Sequence, residues 1–164
     1  MDIQWDKQHC GVHRATFDEL SKLMPDVTKE ILKSFPEDTK DFTWDVKVHM
    51  LMPSQYPCIP NWHYDNVPRV NNAQDFSLVN PELPMYLWIS GSPLTEFRDG
   101  GLIKPKSWHK FTQEDEHRGT RSEAFQWRGF IRATHKDILA PNQSGVNVLR
   151  RHSQVYLDVS NFAW

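Results

Sequence analysis

The sequence lacks any long apolar segment. No apolar run approaches the roughly 18 residues that a membrane-spanning helix needs, so we expect no membrane partner. The first residues have neither a basic start nor an apolar core, so we also expect no signal peptide. These two absences favour a protein of the reducing cytoplasm.

Cysteine is scarce, and charge of neither sign dominates. The two cysteines, Cys10 and Cys58, form no CxxC pair, which disfavours a thiolate zinc site. The formal net charge is -2, which disfavours tight binding of duplex nucleic acid and leaves a flipped base or a single strand open as a substrate. With eight histidines in the chain, a metal site would be built from imidazoles and carboxylates.

Helical signals are confined to the first 40 residues. Residues 16–19, Thr-Phe-Asp-Glu, fit a capping box at the start of a helix. Val27, Ile31 and Phe35 then recur at intervals of four and give one apolar helix face. We therefore predict that residues 1–40 form a helical support that packs against a sheet.

The rest of the chain has the pattern of short β-strands. From residue 42 to residue 52, apolar and polar residues alternate, as in a half-buried strand. Further strands are predicted at 85–89, 102–103, 124–135, 146–149 and 154–159. Because helical segments between these strands are missing, a parallel α/β fold is disfavoured. The whole chain, residues 1–164, is predicted to be one mainly β domain, with N-terminal helices and a jelly-roll core at 42–160.

A short motif after the first long strand can bind a metal ion. His63 and Asp65 are two residues apart, so both side chains point to the same side of an extended backbone. A second histidine from a distant strand would complete a 2-His-1-carboxylate triad, the ligand set of non-haem Fe(II) oxygenases. The motif alone is not selective, because His135 and Asp137 form another one.

Candidates for the rest of the site follow downstream. His117 comes after a polar loop, and Arg132 and Thr134 share one face of the predicted strand, together with Arg128 and Phe130. An arginine within a strand needs an anionic partner, and a guanidinium with a neighbouring hydroxyl suits a carboxylate. Beside a metal ion, such a pair suits a dicarboxylate that chelates the metal at one end.

In this order, the residues resemble the Fe(II)/2-oxoglutarate-dependent oxygenases. The family pattern is HxD, a distal His and Arg-x-Ser/Thr on a double-stranded β-helix, a cupin-like jelly roll. The local sequence is similar to that of small phage-type and bacterial members. The resemblance implies that Fe(II) is bound by His63, Asp65 and His117. It also implies that Arg132 and Thr134 hold 2-oxoglutarate, that ascorbate serves as a reductant, and that a C–H bond of an unidentified substrate is hydroxylated.

A second assignment within this family uses other residues. His135 would be the distal ligand, and Arg151 and Ser153 would hold the cosubstrate. Arg151 lies in a polar stretch that is typical of an exposed surface, whereas Arg132 lies between two apolar residues. The first assignment is therefore preferred.

Five further residues are weaker candidates. Tyr86 can contact the metal-chelating end of 2-oxoglutarate, or it can only pack in the core. Four residues flank the HxD motif and either contact the substrate or pack on the rim: Trp62, Tyr64, Asn66 and Arg69.

Two competing hypotheses belong to other functional classes. A non-catalytic jelly-roll module for binding or assembly is favoured if Arg132 faces the core beside an acidic partner. A cupin-type metalloenzyme is the other alternative, although the sequence contains no HxH pair.

Overall fold

The computed structural model describes residues 11–24 and 26–139, and the backbone of 148–150. The predicted strand at 154–159 lies outside the described residues, as do Arg151 and Ser153 of the second assignment. In the described ranges, no helix has both the length and the apolar character needed to span a membrane.

The described chain is mainly β, with short helices. Its strands are β1 Gly11–Ala15, β2 Phe42–Leu51, β3 Arg69–Val70, β4 Ala73–Gln74, β5 Met85–Ile89, β6 Thr95–Phe97, β7 Gly101–Leu102, β8 His109–Phe111, β9 His117–Gly119, β10 Gln126–His135 and β11 Val148–Arg150. Its helices are α1 Phe17–Leu23, α2 Asp26–Leu32 and α3 Lys136–Leu139, with single 3₁₀ turns at Thr39–Asp41 and Phe76–Leu78.

The strands form antiparallel sheets. A six-stranded sheet has the order β11-β1-β2-β10-β5-β8, a three-stranded sheet has the order β7-β6-β9, and β3 and β4 form a separate hairpin. Apolar side chains from both larger sheets, such as Leu87 and Phe97, share one core cluster. The arrangement is consistent with a β-sandwich.

The long strand β2 is buried on both faces, which corrects the prediction of a half-buried strand. Trp44 and Val46 lie on the outer face of the sheet, in a hydrophobic core that the N-terminal helices cover. Asp45 and His49 face the other way and are also buried, because the second sheet lies on that side. Sequence alternation identified the two faces, but it did not show that both would be covered.

The N-terminal part contains less helix than predicted. Residues 11–15 form β1 because they pair with β2, with Val12 opposite Val46. The capping box is present, since the Thr16 hydroxyl accepts a hydrogen bond from the Glu19 backbone N–H at 3.2 Å. The two helices that follow have seven residues each. They cover the outer face of the large sheet, as expected of a support.

Phe35 joins the helices to this sheet. Its ring lies edge-on to four aromatic rings at centroid distances of 4.9 to 5.2 Å, those of Phe42, Trp44, Tyr86 and Trp108. Such edge-to-face contacts add to the free energy gained from apolar burial.

We predict that Phe35→Ala lowers the free energy of unfolding by about 3 kcal/mol, because it leaves a cavity among these rings. Urea denaturation measures the change. Phe125→Ala is the matched control, since Phe125 is 64% exposed and its loss should cost less than about 0.5 kcal/mol. Equal losses in the two variants would contradict the role given to Phe35.

Candidate metal site and adjoining cavity

The structure brings the three predicted metal ligands together. His63 lies beside β9, and its backbone exchanges two hydrogen bonds of 2.9 Å with that of His117. This antiparallel bridge sets the two imidazole rings side by side, with a centroid distance of 4.4 Å. Asp65 follows on the same side of the chain. One ligand atom from each residue lies within 4.8 Å of the others, so the three side chains could hold a metal ion.

Backbone carbonyls orient both imidazoles. Nδ1 of His63 lies 2.8 Å from the Asn61 carbonyl oxygen, and Nδ1 of His117 lies 3.3 Å from that of Asp115. A proton on each Nδ1 satisfies these carbonyls and leaves each Nε2 as a lone-pair donor. The two Nε2 atoms lie 3.8 and 3.5 Å from the Asp65 carboxylate. Metal-binding histidines in proteins are commonly oriented in this way.

The electrostatic surroundings favour the protonation states that bind metal. Burial alone would raise the pKa of Asp65, but the Arg132 guanidinium and the contact with His117 hold it below its usual range. Burial lowers the pKa of His63. An ionised carboxylate and a neutral imidazole are the forms that coordinate a metal ion.

Arg132 lies at this site, where it contacts two carboxylates. Its Nη1 donates to Asp65 Oδ2 at 2.8 Å, and its Nη2 and Nε donate to Asp45 Oδ2 at 3.0 and 3.3 Å. Arg132 therefore already has the anionic partners that were expected to come from a ligand. Thr134, its predicted companion, is buried two residues further along, and its hydroxyl contacts no hydrogen-bonding group of the described chain.

A cavity of about 290 Å³ opens beside the three ligands. Its polar wall includes Arg132, Asp45, Lys47 and Thr95, and its apolar wall includes Leu87, Phe111 and Phe130. The cavity therefore joins the metal ligands to a region that β2, β6 and β10 line with charged and polar side chains.

Arg128 lies behind Thr95 and is completely buried. Its Nη2 donates to the Thr95 hydroxyl at 2.8 Å, while Nε and Nη1 have no hydrogen-bond partner in the described ranges. Burial lowers its pKa to about 10, so the side chain stays charged at neutral pH. A buried charge without a counter-ion costs several kcal/mol, so this arrangement calls for an anionic ligand. The alternation of β10 had placed Arg128 on the same face as Arg132, and this was the only sequence signal for it.

Two further basic side chains lie close to Arg128. The Lys47 ammonium group lies 5.3 Å from the centre of the Phe130 ring, and burial lowers its pKa to about 8. His49 is buried, and neither ring nitrogen has a hydrogen-bond partner among the described groups. Burial, with Lys47 and Arg128 nearby, lowers the His49 pKa to about 3. This end of the site is thus cationic through Lys47 and Arg128, beside a neutral imidazole.

The structure corrects the prediction for Tyr86. This residue lies on the outer face of β5, where its ring packs against Phe35 and Phe42 and its hydroxyl forms a hydrogen bond with Glu37. The cavity is lined instead by Leu87, the next residue in the strand. Because neighbouring residues in a strand face opposite sides, Tyr86 points away from the metal ligands.

Trp62 also lies outside the cavity. It precedes His63 and lies on the other face, where the guanidinium groups of Arg98 and Arg118 sit 4.6 and 4.4 Å from the centre of its ring. Glu116 and Glu96 pair with these two arginines. The Trp62 ring is thus engaged by cations of its own chain.

The other three rim candidates contact neighbouring segments. The Tyr64 ring packs edge-on against Phe76, and the Asn66 amide contacts the Met85 sulfur at 3.4 Å. Arg69 donates to the Asn72 carbonyl within the β3–β4 hairpin. None of the three lines the cavity, so any contact with a substrate would occur outside it.

His135, the distal ligand of the second assignment, lies at the end of β10. Its ring packs against Phe42, and its Nδ1 is 3.7 Å from Asp137. In the part of the chain that the structure describes, the only cluster with metal-ligand spacing is His63, Asp65 and His117.

We predict that His49 makes folding sensitive to acid. The folded protein keeps this imidazole neutral down to about pH 3, whereas in the unfolded chain it has the ordinary histidine pKa of 6.5. The stabilisation is therefore complete above pH 6.5 and is lost as the pH falls, by up to about 1.4 kcal/mol per pH unit. Urea denaturation between pH 7 and pH 4 should show a shallower dependence for His49→Gln than for the wild type, and parallel curves would contradict this assignment.

Comparisons with known proteins give no family. The chain matches no family model, no curated protein and no solved structure.

Proposed function

We propose that the protein is an Fe(II)- and 2-oxoglutarate-dependent dioxygenase that hydroxylates a C–H bond of an unidentified substrate. One observation carries the proposal: the cavity beside a 2-His-1-carboxylate cluster is also lined by Thr95, which accepts a hydrogen bond from a buried guanidinium that has no counter-ion in the described chain. The metal site alone suits several ions. The uncompensated charge of the nearby Arg128 guanidinium points to a metal-chelating carboxylate as cosubstrate.

We also propose that the sandwich is a double-stranded β-helix. From β2 onward, the chain crosses repeatedly between the two larger sheets. It passes from β2 to the His63 segment, then to β5, to β6 and β7, to β8, to β9 and finally to β10. Such alternation between two sheets is typical of a jelly roll, so it supports the proposal.

The residues present fit an iron ion. Nε2 of His63 and of His117, with one carboxylate oxygen of Asp65, form an N₂O donor set on one side of a cavity. Three protein ligands leave positions open for a chelating cosubstrate and for oxygen. Bound iron and 2-oxoglutarate would supply the oxidative chemistry, which amino-acid side chains cannot perform.

The residues that bind the far carboxylate of 2-oxoglutarate differ, in this proposal, from those that the sequence suggested. Arg132 is engaged by Asp45 and Asp65, so we assign the carboxylate to Arg128 and to the hydroxyl of Thr95. Lys47 adds a second positive charge on the same side of the cavity. Arg132 then has the separate task of holding the Asp65 carboxylate.

One observation favours the non-catalytic alternative. Arg132 lies beside acidic partners, and an ion-pair cluster of Asp45, Arg132 and Asp65 could serve only to stabilise the fold. This alternative leaves two features without a purpose: the convergent Nε2 atoms of the histidines, and the buried charge of Arg128. The dioxygenase accounts for both.

The decisive test is turnover of 2-oxoglutarate. We expect the purified protein with Fe(II), ascorbate and 2-oxoglutarate to form succinate, which can be quantified by mass spectrometry. His63→Ala and Asp65→Ala should lose this activity together with the binding of Mn(II), a redox-stable substitute for Fe(II), because each removes a metal ligand. His135→Ala is the matched control and should keep both. Mn(II) affinity that is unchanged in both ligand variants would overturn the proposal.

Two buried threonines distinguish the two assignments of the carboxylate site. Thr95→Val removes the hydroxyl beside Arg128, and Thr134→Val removes the one beside Arg132, with almost no change in side-chain volume. Titration calorimetry of the Mn(II)-loaded protein should show about tenfold weaker 2-oxoglutarate binding in Thr95→Val and an unchanged affinity in Thr134→Val. The reverse result would restore Arg132 and Thr134 as the carboxylate site.

A further inference from the structure

A continuous series of polar contacts runs from β1 to the candidate metal ligands. Asp45 is at its centre, with a side chain that is only 10% exposed. One carboxylate oxygen, Oδ2, accepts hydrogen bonds from Nη2 and Nε of Arg132. The same guanidinium donates from Nη1 to Asp65. Asp45 and Asp65 are therefore coupled through a single cation.

The other oxygen of Asp45 is held by β1. The backbone N–H of Arg14 donates to Oδ1 at 3.0 Å, and Nδ1 of His13 lies 3.0 Å from the same atom. In a regular antiparallel ladder, a backbone N–H that faces the neighbouring strand donates to a backbone carbonyl of that strand rather than to a side-chain carboxylate. Here the β1–β2 register shifts between Val12 and Ala15, and Arg14 adopts a φ of 52°, a conformation that is uncommon for residues other than glycine. The bulge thus directs two donors to Asp45.

The charges around Arg132 give this arrangement a consequence for metal binding. A guanidinium beside Asp65 competes with a metal ion for the same carboxylate. Asp45 takes two of the guanidinium nitrogens and leaves one for Asp65, so one Asp65 oxygen has no bond to Arg132. Two carboxylates and one guanidinium also leave a net negative charge at the place where a cation would bind. Without Asp45, the net charge would be zero, and all the Arg132 donors could turn to Asp65.

We propose that Asp45 is a positioning residue that sets the affinity of the His63, Asp65 and His117 site for a divalent cation by balancing Arg132. His13 and the Arg14 backbone hold Asp45 in place. This inference rests on the metal site of the proposed function, but it needs neither 2-oxoglutarate nor turnover.

The test measures metal binding directly. Mn(II) affinity is determined by titration calorimetry for the wild type, for Asp45→Asn and for Asp41→Asn. Asp41 is the matched control, because it forms its ion pair with Lys136 on the surface. We expect Asp45→Asn to weaken Mn(II) binding by about 10- to 100-fold, the range seen when groups behind metal ligands are removed, and Asp41→Asn to leave it within twofold. Equal affinities in the three proteins would overturn the inference while leaving the metal site intact.

Two further measurements separate positioning from a general effect on folding. The visible absorption of bound Co(II) reports ligand geometry, so it should change in Asp45→Asn and stay the same in Asp41→Asn. In an Arg132→Gln background, the added Asp45→Asn change should alter Mn(II) affinity less than threefold, because Asp45 acts through Arg132. A full 10-fold loss in that background would show that Asp45 acts by another route.

A milder variant covers the case in which Asp45→Asn does not fold. His13→Ala removes one contact that supports the Asp45 carboxylate. The His13 side chain is 42% exposed, so the fold should tolerate its loss. Mn(II) binding should weaken two- to fivefold, and an unchanged affinity would count against the inference. A wild-type protein that binds no Mn(II) would instead overturn the proposed function and this inference together.

Discussion

The structure depends on the charged side chains of β2 and β10, two central strands that are buried on both faces. On the inner face of the β2–β10 pair, Asp45 lies opposite Arg132, Lys47 opposite Phe130, and His49 opposite Arg128. The first pair joins opposite charges. The third joins a cation to an imidazole that burial keeps neutral, so the Arg128 charge is not compensated across the strands. The two ends of this strand pair therefore differ in charge balance. At one end Asp45 balances the charge of Arg132, and at the other end Arg128 requires an anion.

Backbone pairing gives the candidate metal ligands their positions. The two hydrogen bonds between His63 and His117 form an isolated antiparallel bridge, and two further carbonyls orient the rings. His117 lies on β9, whereas His63 and Asp65 lie in the segment between β2 and β3 that this bridge ties to β9. Arg132 connects Asp65 to Asp45 in β2, and Asp45 in turn contacts the bulge in β1. A local irregularity in β1 is in this way connected to the site.

The sequence predicted the cluster of His63, Asp65 and His117 and the long strands, but not the partners of the arginines. Alternation shows that Arg128 and Arg132 share a face, yet it cannot show which of them meets a carboxylate, because Asp45 and Asp65 arrive from distant segments. The sequence left both roles of Tyr86 open for a related reason: β5 is apolar on both faces, so its pattern does not reveal which one lines the cavity. The strands β6, β8 and β9 have three residues each, too few to show any periodicity.

The size of the cavity constrains any substrate under the proposed function. Arg128 and Arg132 are four residues apart on one strand, a distance of about 13 Å between their Cα atoms, and their side chains shorten the gap. A short dicarboxylate that chelates the metal would occupy most of the cavity of about 290 Å³. A nucleobase or a peptide would then have to present its C–H bond at the mouth. Residues at the rim would then select the substrate. There β1 contributes His13 to the cavity wall, so the strand that supports Asp45 would also face the incoming substrate.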